Sequence, residues 1–250
     1  GKGSLGASIN GGEYNVAIGN LTLDAVTSGD NNVAVGYGAG GAITDGNDNI
    51  AIGKQTLDGT VTGDRNIAIG SLAGTDVTSA ENSVFVGNEA GANITTGVNN
   101  IAIGHQSITQ PDTEGNNVAV GTGALGGAIA GGEYNTAVGN FALDALTSGD
   151  NNVAVGYNAG TAVTTGNSNN LIGYLAGENI VDGAHNTFIG RQAGRGTTSA
   201  SAQIFIGGSA GEANTTGGGN IAIGYSALDN SDTESNNLAI GEDALGGAIN

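Results

Sequence analysis

The chain has 250 residues and a formal net charge of -18, with 49 glycines, one proline and no cysteine, methionine or tryptophan. Only Lys2, Lys54, Arg65, Arg191 and Arg195 are positive, so repulsion argues against nucleic acid or an anionic lipid surface as a partner. No apolar run approaches the ~20 residues of a membrane span. Collagen's three-residue glycine period is missing, and regularly spaced apolar residues separate the chain from glycine-rich disorder.

In chain order the sequence rewrites one short stretch, Asn32-Val33-Ala34-Val35-Gly36. Its closing glycine recurs at Gly19, Gly36, Gly53, Gly70, Gly87, Gly104 and Gly121, then at Gly139, Gly156, Gly173, Gly190, Gly207, Gly224 and Gly241. The interval is 17 throughout, except for 18 between Gly121 and Gly139 and between Gly1 and Gly19. A fixed period of this length is the mark of a solenoid, each turn stacked on the last. A longer repeat lies over it. Gly11-Gly12-Glu13-Tyr14-Asn15 returns 120 residues later as Gly131-Gly132-Glu133-Tyr134-Asn135. Asp112-Thr113-Glu114 returns as Asp232-Thr233-Glu234, and Ala248-Ile249-Asn250 falls in phase with Ser8-Ile9-Asn10. We read residues 1–120 and 121–240 as two seven-turn units and 241–250 as the start of a third, without a linker. Neither end carries a capping segment, which leads us to expect a longer natural object or end-to-end joining.

Within a turn the columns are sharply defined. The residue before the anchor glycine is always Val or Ile, and the one four before it is Asn except at Ser83 and Gln203. Two before it comes Ala, replaced by Phe85, Leu171, Phe188 or Phe205; three before it is mostly Val or Ile, with Thr136, Asn170 and Thr187 departing. The β-branched run predicts a strand of about four residues. A small residue three past the anchor, followed by Leu or Gly, suggests a second short strand, and the Thr-Ser-Gly and Thr-Thr-Gly corners are turns. Successive strand residues point to opposite faces, and both faces are apolar. One faces the narrow interior; the other needs a cover, either a sheet of the same turn or another chain. The Asn column is expected to be structural, its amides stacked ~4.8 Å apart against one another and the corner backbone.

Asn66-Ile67-Ala68-Ile69-Gly70 and Asn220-Ile221-Ala222-Ile223-Gly224, each followed three residues on by a small Ala, resemble the head repeats of trimeric autotransporter adhesins (YadA-like). The pattern is also similar to repeats in bacteriophage tail fibres. It covers essentially the whole chain, with turns made longer than is usual in that family by the Thr-Gly corner. The resemblance implies a parallel β-roll in each of three identical chains around one axis.

The remaining motifs argue against enzymatic chemistry. Gly1-Lys2-Gly3-Ser4-Leu5-Gly6 and Gly121-Thr122-Gly123-Ala124-Leu125-Gly126 fit the dinucleotide glycine pattern, but no helix is expected after either. Gly207-Gly208-Ser209-Ala210-Gly211 fits a nucleophile elbow, yet Ser209 stands where other turns carry Gly38 or Asn158. His105 and His185 fall in different columns without ligand spacing. Asp30, Asp64 and Asp150 follow corner glycines and suit either Ca²⁺ with nearby carbonyls or a polar corner cap. Asn47 and Asn167 break that column, which favours the cap. The sequons at Asn20, Asn93 and Asn214 are short matches of the kind that arise by chance in so Asn- and Thr-rich a chain.

We therefore expect an all-β parallel β-solenoid (β-roll) of 17-residue turns, about 14 in number, forming a homotrimeric fibre. Fourteen turns would span roughly 67 Å at ~4.8 Å per turn. The expected role is that of an extracellular adhesin shaft or head, on a cell surface or, as a tail fibre, on a virion. Neither a cofactor, a metal nor a catalytic residue is expected. A rival is an ice-binding face built on Thr27, Thr44, Thr95, Thr147, Thr164 and Thr215, although the neighbouring column holds Ser, Asp or Thr irregularly.

Overall fold

The computed structural model describes residues 1–6, 11–109, 113–127 and 130–247. Ala7–Asn10, Pro111, Asp112 and Ala248–Asn250, on which part of the repeat phase was read, lie outside the described residues. The chain divides into two compact units, Gly1–Gly123 in the first and Ala124–Gly127 with the chain from Gly131 onward in the second. The first carries seven three-residue strands, β1 (Val16–Ile18) to β7 (Val118–Val120), and the second carries seven more, β8 (Thr136–Val138) to β14 (Leu238–Ile240). No helix occurs among the described residues. Each strand pairs in parallel with the next in its unit, always residue i with residue i+17, as in Ala34↔Ala51, Ala51↔Ala68 and Leu171↔Phe188. The protein is an all-β parallel β-solenoid with one strand per turn.

The anchor glycine is where the strand ends. Gly36 has φ +138°, a region that L side chains rarely adopt, and a Cβ there would overlap the carbonyl of Gly53 in the next turn. Stacking at one strand spacing therefore excludes any side chain in this column.

The expected second strand does not form. The segment past the anchor is a turn whose second and fourth residues are left-handed, as at Gln55 (φ 52°) and Leu57 (φ 46°), or Phe141 (φ 58°) and Leu143 (φ 51°). The reason lies in burial. Thr56 and Leu57 are consecutive and both fully buried, and so are Ala142 and Leu143. A strand sends neighbours to opposite faces, so two inward residues in succession require a different backbone. Left-handed backbone costs an ordinary residue about 1–2 kcal/mol, against roughly 1.5–3 kcal/mol for burying a Leu side chain. Burial wins, and the backbone stays paired: Gln55 N–H donates back to Tyr37 at 2.9 Å, and Leu57 N–H donates forward to Ala73 at 3.1 Å.

The interior is filled by compensation between two columns. Where the residue two before the anchor is Ala, the left-handed position after it can be large, as with Leu57, Leu143 and Leu228 in the turns of Ala51, Ala137 and Ala222. It can also be glycine, as with Gly40, Gly74 and Gly160 in the turns of Ala34, Ala68 and Ala154. Where the residue two before the anchor is large, as at Phe85, Leu171, Phe188 and Phe205, that position is always glycine. The glycine of the preceding turn, such as Gly74 before Phe85, faces the same side chain. A Cβ on Gly74 would meet the Phe85 ring at 2.9 Å, and one on Gly177 would meet Leu171 at 2.8 Å and Phe188 at 3.2 Å. Phe188 and Phe205, paired across β11 (Thr187–Ile189) and β12 (Ile204–Ile206), stack with ring centroids 4.9 Å apart.

This compensation predicts a coupled pair. Gly194→Ala, whose Cβ would overlap the Phe188 ring, should lower thermal stability by about 2 kcal/mol or more, since overpacking adds to left-handed strain. Adding Phe188→Leu should recover part of that loss in a double-mutant cycle. Purely additive losses would show that the two positions do not share one space.

Candidate interaction face

The two apolar faces of the strand have separate fates. Ala34, Ala51, Ala68, Phe85, Leu171, Phe188 and Phe205 point inward and are fully buried. A fibre seam through the Ala/Phe face, left open by the sequence, is thereby excluded, because those rings fill their own chain. The Val and Ile columns one and three before the anchor point outward. Ile52, Ile69, Ile103, Ile172, Ile189 and Ile223 each keep 36–39% of their surface exposed.

No charged residue stands in either outward column, although the chain carries 23 acids. One edge of this face is the column just past the anchor, which places Tyr37, Tyr157, Tyr174 and Tyr225 about half-exposed. Tyr157 and Tyr174 stack at 5.8 Å, and Phe141 meets Tyr157 edge-on at 6.3 Å. We did not single out this tyrosine column from the sequence, though the signal was present as an aromatic at one fixed offset from four anchors.

Behind the face, the Asn column forms the ladder expected of it. Asn152 Nδ2 donates to the carbonyl of Gly166, closing its own turn at 2.8 Å, while its Oδ1 accepts the backbone N–H of Asn169 at 3.0 Å. The same pair of bonds recurs at Asn32, Asn49 and Asn169. Ser83 keeps the link to the next turn, its Oγ accepting the N–H of Asn100 at 3.1 Å, but donates to the Glu81 carbonyl at 3.1 Å instead of closing its turn at the corner glycine.

The corner acids are occupied by backbone. Asp30 accepts the N–H of Glu13, Asp64 that of Asn47 at 2.8 Å, and Asp150 that of Glu133 at 2.8 Å. Asn47 and Asn167 do the same for Asp30 and Asp150, so an amide separates Asp30 from Asp64, whereas Glu13, Glu81 and Glu133 stand one turn from Asp30, Asp64 and Asp150. Among the described residues no group of three or more His, Asp or Glu is placed to hold a metal ion. The threonine column is likewise engaged: Thr44, Thr147 and Thr164 hydroxyls donate to carbonyls one turn on, at 3.4, 3.0 and 3.1 Å.

Comparison of the chain with protein-family models, with curated proteins and with solved structures gives no match. Its chemistry must be read from its own residues. Ser209 is left-handed and nearly buried, with its N–H donating to Arg191, and His105 and His185 are exposed in separate units. Both dinucleotide-like glycine patterns run through turns, and no helix follows either among the described residues. Asn214 of the third sequon is fully buried, whereas Asn20 is exposed.

Two acids feel the stack. Burial pushes the Asp144 carboxyl up, and burial raises Asp58 too, opposed by its hydrogen bond from Gln55. Hydrogen bonds from Ser28 and Thr27 hold Asp45 below its ordinary value.

Two outcomes follow. Asn152→Ala should cost on the order of 2 kcal/mol, because it strands the Gly166 carbonyl and the Asn169 N–H inside. Unchanged melting would show the ladder to be decoration. For Asp144 the folded carboxyl titrates above the unfolded one, so its ionised form destabilises the fold at neutral pH, and the penalty fades as pH falls through the folded value. Asp144→Asn should therefore raise Tm at pH 7 and lose that advantage near pH 3. A gain independent of pH would contradict the assignment.

Proposed function

We propose that this chain is the structural repeat segment of an extracellular fibre, in which identical copies pack through the Val/Ile face into a homotrimer. The observation that carries this reading is the face itself: two uninterrupted uncharged columns, left outward on a chain whose net charge is -18. Highly acidic copies repel one another over most of their surface, and this is where they can approach without bringing carboxylates together. Within each unit the column just before the anchor is Val or Ile in every turn, and a largely apolar strip of that kind calls for a cover. The 17-residue spacing of the columns also matches best the equal spacing of another copy. The role is mechanical rather than enzymatic. Continuous parallel hydrogen bonding gives a stiff shaft or head that holds a contact point away from a cell surface or a virion.

Mass measurement in solution tests the proposal. The chain should run at three times 24.1 kDa at micromolar concentration. Ile52→Asp with Ile69→Asp should convert it to monomer with unchanged β-sheet circular dichroism, since both side chains point away from the interior. A monomeric parent chain would overturn the assembly.

A further inference from the structure

The interior column seven residues past the anchor is apolar in most turns: Val26, Ile43, Val77, Ile94, Leu146, Val163 and Ile180 are all fully buried. In three successive turns it becomes polar, as Thr197, Asn214 and Ser231, and these too are fully buried. The middle turn also breaks the asparagine column with Gln203, again fully buried. Gln203 is one methylene longer than the residue it replaces, and its amide reaches across the interior. Its Nε2 donates to Asn214 Oδ1 at 2.7 Å. Asn220 Nδ2 donates to the corner carbonyl of Gly217 at 3.2 Å, the bond that an asparagine at 203 would otherwise make. Ser231 is satisfied separately by the Glu234 carboxylate at 3.0 Å.

Three atoms are left over. Thr197 Oγ1, Gln203 Oε1 and Asn214 Nδ2 are buried without a protein partner. Buried polar atoms are nearly always hydrogen-bonded, and three orphans from neighbouring positions point to one shared partner. Thr197 and Asn214 occupy the same column one turn apart, about 4.8 Å along the stack, and Gln203 is bonded to Asn214. Together the three present one donor, one acceptor and one hydroxyl able to act as either. A metal cation does not suit this set, because Asn214 offers N–H and the unpaired atoms include no carboxylate oxygen. A single water does, since buried waters make about three hydrogen bonds.

We propose that a structural water is bound inside the second unit. It accepts from Asn214 Nδ2, donates to Gln203 Oε1 and completes its bonds at Thr197 Oγ1. The site replaces the apolar column over these turns with a polar core that needs the water to close.

Thr197→Val tests this by the sign of its effect, because valine keeps the shape of threonine and removes only the hydroxyl. If the hydroxyl bonds a water, the variant loses that bond and its Tm falls by about 2–4 °C. If the hydroxyl is an unbonded polar atom, its removal leaves Tm unchanged or raises it, which overturns the proposal. A crystal structure of the parent chain at about 1.5 Å should place a water peak within ~3.2 Å of all three atoms. No peak there, with the amides paired directly to Thr197, would also overturn it.

Discussion

One constraint governs the molecule: within each unit every strand residue lies directly over the residue 17 positions on, one strand spacing away. Parallel strands bond with even spacing and no offset, so a property assigned to one turn is repeated in a column or must be deliberately interrupted. The anchor glycines are the plainest consequence. A Cβ on Gly36 would overlap the carbonyl of Gly53, and the same holds at Gly53 with Gly70. The asparagine ladder is another. Each side chain closes its own turn and receives the backbone of the next, so one residue type serves within and between turns at once.

Stacking also sets what cannot be repeated. Identical carboxylates in one column would sit about 4.8 Å apart, where like charges oppose folding. The corner column relieves this only in places: Asn47 separates Asp30 from Asp64, and Arg65 lies against both Asp64 and Glu81, at 3.8 and 3.0 Å, where those two acids are one turn apart. Elsewhere Arg195 lies between Glu178 and Glu212, one turn to either side, bonding the first at 2.7 Å and approaching the second at 3.9 Å. Large side chains face the same difficulty inside. Phe188 and Phe205 can stack in successive turns because Gly177, Gly194 and Gly211 withdraw from the space their rings occupy.

The inward Ala/Phe face and the outward Val/Ile face divide the labour between folding and association. Inside, narrowness favours alanine, with a larger side chain, Leu171 or a Phe ring, admitted only against glycine. Outside, β-branched residues hold the strand extended and present a flat, uncharged surface. The proposed fibre rests on that surface, whereas the solenoid needs only the interior.

The sequence by itself determined the parallel solenoid, the glycine at each strand's end and the structural role of the asparagines. Each of these is written in a column that repeats, and a period of 17 has few physical interpretations. It also made corner capping the better reading of Asp30, Asp64 and Asp150, because the column is broken by amides that could cap but would weaken a metal cage. Only the tertiary structure decided which apolar face turns inward, since Val-Ala-Val is apolar on both sides and alternation carries no sign. It likewise replaced the expected second strand by left-handed turns at Leu57 and Leu143, where consecutive burial of two residues overrides local preference. The orphaned trio of Thr197, Gln203 and Asn214 was illegible for the same reason. Gln203 and Asn214 are 11 residues apart, and only the winding of the chain brings their amides together across one interior.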